Sequence, residues 1–217
     1  MKQFLYQYRF EFLLFALTMV IFNRIFVFDT TFYSQFIWPA NMLLLGIVSM
    51  GIFHEKQKWI IGIKNILFLG VVMVPFMASE IFFSPVFAPA ALITYLLFNT
   101  LIFVEVMRQL IKPKEITASV IFGSLCGFLL LILISTFSYL LLNQVDTQSF
   151  HNVTEGFVPE LYQQMTYFSI VTLTTIGYGD ITPLSDNARL LAGFWGVISQ
   201  FYMVAVVGII ISKFTSK

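Results

Sequence analysis

Six stretches of this chain stay apolar for longer than the span helices of a water-soluble domain do. A helix rises 1.5 Å per residue and the hydrocarbon core of a bilayer is about 30 Å thick, so about 17 to 25 mainly apolar residues make one crossing. Phe10 to Phe28, Phe36 to Phe53, Trp59 to Met77, Ala88 to Met107, Thr117 to Leu142 and Leu190 to Ser212 meet that length, each bounded by Pro, Asp, Asn, Lys or Glu. The expected fold class is an all-α membrane protein with six transmembrane helices. Composition agrees, because 59% of residues are apolar and only 11% are charged, a balance unlike that of soluble domains. The first run follows Met1 to Arg9 without a small-residue cleavage site, so it is expected to stay as a span rather than leave as a signal, with the mature chain starting near Met1.

The distribution of basic residues gives an independent prediction of topology. Short cytoplasmic loops are enriched in Lys and Arg. With six crossings and both ends cytoplasmic, ten of the twelve basic residues fall inside, and only Arg24 and Arg189 fall outside. An odd number of spans would split these clusters. The interval Asn143 to Arg189 then lies on the outer side, where Asp146, Glu155, Glu160, Asp180 and Asp186 make it acidic and suited to concentrating cations. An integral location in a plasma or inner membrane follows, with lipids as surroundings.

Several chemistries have no residues to rest on. The net charge of +1 and the scattered basic groups offer no nucleic-acid face. Cys126 stands alone in an apolar run, and His54 and His151 are far apart, so neither a zinc site nor a Cys/His nucleophile can be assembled. No enzyme and no resident cofactor are expected.

The dense motif of the chain is Thr174-Thr175-Ile176-Gly177-Tyr178-Gly179-Asp180, preceded by Leu161 to Leu173, which reads as a short re-entrant helix with Pro159 where a helix can start. An extended strand whose carbonyls all point one way can replace the water around a potassium ion. Ordinary strands alternate their carbonyls. Pointing them together needs alternating handedness of φ, which glycine adopts at little cost, and Gly177 and Gly179 stand at every second position. Ile176 and Tyr178 are then expected to project backwards as a scaffold, and the Thr175 hydroxyl to close the lowest oxygen ring. The preceding helix would turn its negative end toward the same place.

These residues resemble the selectivity filter of tetrameric potassium channels. Tyr167 and Phe168 stand where many members carry an aromatic pair that braces the filter, Pro183 follows Asp180 by three residues, and Val207 to Phe214 is similar to the inner end of the last helix in that family. The resemblance covers roughly Thr117 to Phe214. It implies a four-helix bundle over 1–116, a pore domain over 117–217 consisting of outer helix, pore helix, filter and inner helix, and K⁺ held by Thr175, Ile176, Gly177, Tyr178 and Gly179 with Thr174, Asp180, Tyr167 and Phe168 in support. One filter strand forms one side of each oxygen ring, so a chain with a single motif is expected to act as a homotetramer.

Departures from the family pattern shape further expectations. The position nineteen residues past Asp180, where many members carry a hinge glycine, is Ser199, with Gly196 one turn earlier and Gly208 further in. Hinge or gate candidates are therefore Gly196, Ser199, Val206, Gly208, Ile209 and Ile210. Tyr167 stands where tryptophan is usual, so a bond from its hydroxyl to Asp180 is expected, while Val171 replaces a glutamate that some members pair with that aspartate. The first four spans have the layout of a voltage sensor, yet Ala88 to Met107 contains Glu105 as its sole ionisable residue, and weak voltage dependence follows. Arg24 and Glu80 are expected either to pair or to reach their own interfaces. Since Phe214 is followed by only three residues, no cytoplasmic ligand-binding domain is expected. Asn152-Val153-Thr154 fits a glycosylation acceptor and is taken as a chance tripeptide marking an exposed loop. Two other functions stay open: a poorly selective cation channel, which usually lacks the Tyr, the second Gly or the Asp of the motif, and a non-conducting subunit or sensor with a vestigial pore.

Overall fold

The computed structural model describes residues 8–53, 62, 65–66, 68–71, 87–111, 118–153 and 158–208. They are mostly helical. The first helix, α1, runs over Arg9–Phe22 and gives way to a tighter turn at Asn23–Phe26, earlier than the apolar run suggests. Its end is tied sideways: the Asn23 amide donates to Asn41 Oδ1 at 2.9 Å, and Arg24 Nε donates to Gln163 Oε1 at 3.2 Å while its guanidinium lies 5.3 Å from the Tyr33 ring.

The second helical run starts before Phe36. Asp29 Oδ1 accepts from the N–H groups of Thr31 and Phe32, capping a helical turn over Thr30–Phe32. A widened, π-helical stretch over Tyr33–Ile37 follows, and then α2 over Trp38–Met50. Pro39 explains the widening, because it lacks the N–H and its ring crowds the carbonyl four residues back. The third expected span, Trp59 to Met77, lies largely outside the described residues, as does Glu80.

Helix α3 covers Phe87–Ile111, with Pro89 in its first turn where no donor is needed. Helix α4 covers Ala118–Val145 and is buried on nearly all sides in its middle. A two-residue strand β1 (Phe150–His151) leads to helix α5 (Val158–Leu173), and a second strand β2 (Thr182–Pro183) pairs antiparallel with β1 before helix α6 (Asp186–Phe201). The all-α expectation therefore gains one small strand pair. Ser185 caps α6 by accepting from the Ala188 N–H at 3.3 Å, four residues ahead of the expected start. Among the described residues, the helices long and apolar enough to cross a membrane are α3, α4 and α6 with its continuation to Val206.

Helix α4 is the hub against which α1, α3 and α5 pack. Lipid tails are as apolar as the side chains, so close packing rather than water exclusion holds such helices together. Trp38 of α2 meets Tyr95 of α3 at 5.7 Å and Tyr162 of α5 at 6.1 Å, Tyr95 stacks on Phe137 of α4 at 5.1 Å, and Phe137 reaches Tyr162 at 5.7 Å. Four helices thus share one aromatic core behind α5, each ring pair contributing about 0.5–1.5 kcal/mol beyond area. At the other end Gln109 links three elements, accepting from Arg9 and donating to Glu105 and to the Ile52 carbonyl. Glu105 also pairs with Arg108 at 3.1 Å, which compensates its charge inside the bundle.

Helix α6 is bolted to α4 at two heights. Trp195 Nε1 donates to Ser138 Oγ at 2.8 Å and the Tyr202 hydroxyl donates to the Ser124 carbonyl at 2.6 Å. Gly196 and Ser199 sit within regular helix, where Ser199 Oγ donates to the Gly196 carbonyl. Geometry changes only at Tyr202–Val207, which is π-helical and contains Val206; Gly208 follows, and Ile209 and Ile210 lie outside the described residues. The opposite face carries Leu190, Phe194, Val197, Phe201 and Val204, exposed by 53–76% and spaced alternately four and three apart, an apolar stripe at helical spacing.

A Cβ on Gly127 would overlap the Tyr202 hydroxyl. Gly127→Ala is expected to destabilise the protein by about 1–3 kcal/mol through overpacking, and adding Tyr202→Phe to recover part of that loss. Thermal unfolding of the purified variants in detergent checks both; an unchanged single variant would contradict the tight α4–α6 contact.

Candidate selectivity filter

Helix α5 holds the site in place through its buried face. Leu161, Tyr162, Met165, Phe168, Ser169 and Val171 recur at helical spacing and point into the core, and Ser169 Oγ meets Thr136 Oγ1 of α4 at 3.1 Å. The helix ends in a specific cap. Thr175 has φ 61°, its N–H donates to the Thr172 carbonyl at 3.1 Å, and the N–H of Ile176 reaches back to the Val171 carbonyl at 3.0 Å. This pair of bonds around a left-handed residue is the Schellman arrangement, in which glycine is usual. A β-branched residue there costs on the order of 1–3 kcal/mol and persists only where its surroundings dictate it.

The cap flows directly into the motif. The Gly177 N–H also donates to Val171 O, at 3.3 Å, and φ is positive at Gly177 (62°) and Gly179 (78°). Alternation of backbone handedness, expected at the two glycines, is present and starts one step earlier, at Thr175. A Cβ on either glycine would meet nothing within 4 Å, so conformation and not space is what demands glycine. The N–H groups of residues 175–177 turn back to the helix. Among the described residues, no donor bonds the carbonyls of residues 175–179.

Side chains divide differently from expectation. Ile176 and Tyr178, expected to pack behind the strand, are 50% and 71% exposed, so their own chain does not supply the surface to receive them. Of the aromatic pair, Tyr167 faces the loop and its hydroxyl donates to Asp180 Oδ2 at 2.6 Å. Phe168 faces the other way, against Tyr139 at 5.0 Å and Phe150 at 5.4 Å, and fixes α5 to α4 and β1. Thr174 Oγ1 donates to the Ile170 carbonyl at 2.6 Å, closing the last helical turn. A residue that sequence reasoning passed over as a chance tripeptide, Asn152, donates its side-chain amide to the Asp180 carbonyl at 2.9 Å. Its φ is 59°, a region that Asn tolerates better than most residues.

Residues 127–216 match the family described as Ion channel. That stretch is less than half of the chain. The chain resembles "Voltage-gated potassium channel Kch" of Escherichia coli (strain K12), 38% identical over 42% of this chain and 19% of that protein. It also resembles "Two pore potassium channel b" of Oryza sativa subsp. japonica, 53% identical over 22% of this chain and 12% of that protein. A third relative is "Potassium voltage-gated channel subfamily KQT member 3" of Homo sapiens, 36% identical over 42% of this chain and 10% of that protein. The chain therefore spans less than a fifth of the length of these relatives. No solved structure matches it.

The bond from Tyr167 holds the Asp180 carboxyl below its ordinary pKa of 3.8. A lowered carboxyl pKa contributes stability that is complete above the ordinary value and lost as pH falls through the lowered one. Tyr167→Phe is therefore expected to melt below the parent at neutral pH, with the gap closing below pH 3.8. Melting curves of both proteins across that range check it, and equal stability at neutral pH would contradict the brace.

Proposed function

We propose that this chain forms a K⁺-selective channel in which four copies surround one pore and conduct K⁺ passively. The observation that carries the reading is the alternation of positive φ at Thr175, Gly177 and Gly179. With the N–H groups of residues 175–177 committed to α5, the carbonyls of Thr175, Ile176, Gly177, Tyr178 and Gly179 are the groups left to replace water around the ion, and the Thr175 hydroxyl adds a further oxygen. Four strands close each ring. The exposed seam on α6 and the exposed Ile176 and Tyr178 leave surface free to meet further copies in such an assembly. Each of the three relatives named above is itself called a potassium channel.

Six crossings with both termini on the cytoplasmic side follow from the apolar runs and from the ten-to-two division of basic residues. Residues 1–116 and 117–217 then correspond to bundle and pore. Val206, Ile209 and Ile210 offer a constriction that closes by dewetting, and the change of helical geometry at Tyr202–Val207, just before Gly208, supplies a bending point beyond Gly196 and Ser199. One charge crossing the field contributes only about 2.3 kcal/mol per 100 mV, and the fourth span offers Glu105 already paired with Arg108. Voltage dependence is accordingly weak.

A poorly selective cation pore is the second reading, and the presence of Tyr178, Gly179 and Asp180 together weighs against it. Purified protein in liposomes is expected to carry K⁺ but not Na⁺, with block by barium and a shallow conductance–voltage relation in symmetric K⁺. Equal Na⁺ flux would favour the second reading. No flux at all would favour a non-conducting subunit, and a steep voltage curve would contradict the gating account.

A further inference from the structure

We propose that Asn152 is a positioning residue for the outer end of the filter, its amide setting the orientation of Asp180 and, through it, of the Gly179 carbonyl. The inference rests on the potassium-channel reading. A strap running from the end of α4 is stitched to the segment that leaves the filter. Phe150 lies opposite Pro183 and His151 opposite Thr182. The Leu184 N–H donates to the Ser149 carbonyl at 2.8 Å. Phe150 anchors the strap below, its ring 5.6 Å from Tyr139 and 5.4 Å from Phe168.

One step past the paired residues the strap turns left-handed, with φ 59° at Asn152, and the side-chain amide reaches the Asp180 main-chain oxygen at 2.9 Å. Among the described residues, Thr175 is the other non-glycine with positive φ, so both such positions flank the motif, one at its base and one at its mouth. Conformations of this kind persist where surroundings over-determine them. Asp180 is thereby held at two atoms, its carboxylate by Tyr167 and its carbonyl by Asn152. Gly179, at φ 78° with open space where a Cβ would be, has no steric stop of its own. What fixes residue 180 therefore limits the swing of the carbonyl before it.

Asn152→Gly keeps the left-handed turn and deletes the amide, whereas Asn152→Asp keeps turn and shape but has no N–H to donate. Reversal potentials of the full-length parent and both variants in liposomes, under a K⁺/Na⁺ gradient, give the permeability ratio, and native size in detergent reports assembly. Both variants are expected to assemble, to carry K⁺, and to show a K⁺/Na⁺ ratio lowered roughly fivefold, the effect of about one lost hydrogen bond. Should Asn152→Gly weaken assembly, the uncharged Asn152→Ala, which also lacks the amide, supplies the comparison. Parental reversal potentials in both variants would overturn the role of Asn152 alone, and so would a change confined to Asn152→Asp, which would trace to its added charge. A parent without K⁺-selective reversal would overturn the channel reading as well.

Discussion

The Val171 carbonyl at the end of α5 accepts two N–H groups from the residues that follow it, those of Ile176 and Gly177. Much else depends on that bifurcated contact. A helix must dispose of its last carbonyls and a following strand of its first N–H groups. Here each satisfies the other, which turns the chain sharply through a left-handed Thr175 and sends it onward with one edge already bonded. Under the proposed function the cap of the pore helix and the base of the filter are a single object, and the strain at Thr175 is offset by the bonds that converge on it.

That object is held from behind by the rest of the chain. Tyr162, one turn into α5, lies in the same aromatic core as Trp38, Tyr95 and Phe137, and Arg24 at the end of α1 bonds Gln163 beside it. Elements of the N-terminal half therefore touch α5 of their own chain directly. At the end of the motif Tyr167 and Asn152 hold Asp180, and Trp195 and Tyr202 fasten α6 and its continuation to α4. Among the apolar surfaces left exposed are the seam of α6 with Ile176 and Tyr178, and under the proposed function these face further copies.

Much of this was legible from the residues. Apolar runs located α3 and α4 to within four residues at every end, because nothing in them competes with the helix, and glycine spacing announced the alternating backbone at Gly177 and Gly179. The failures have physical causes. The run from Phe36 hid a start at Thr30, since Asp29 as a cap outweighs the polar character of Thr30, Thr31 and Ser34, and the helix absorbs Pro39 by widening. Strands of two residues leave no period to detect, so the β1–β2 pair and with it the meaning of Asn152 were invisible. Tyr167 and Phe168 are neighbours in sequence and so project about 100° apart on a helix, which separates brace from anchor, a division that only tertiary packing reveals.

The central claim is that equivalent 175–179 segments from four copies line one axis with main-chain oxygens. Its most direct measurement is the structure of the assembled protein with thallium in place of potassium, located by anomalous scattering. The account predicts a file of ion density on a four-fold axis, flanked by the carbonyls of Thr175 to Gly179. A monomer, or an assembly in which Tyr178 lies away from the axis and no ion density follows the segment, would contradict it.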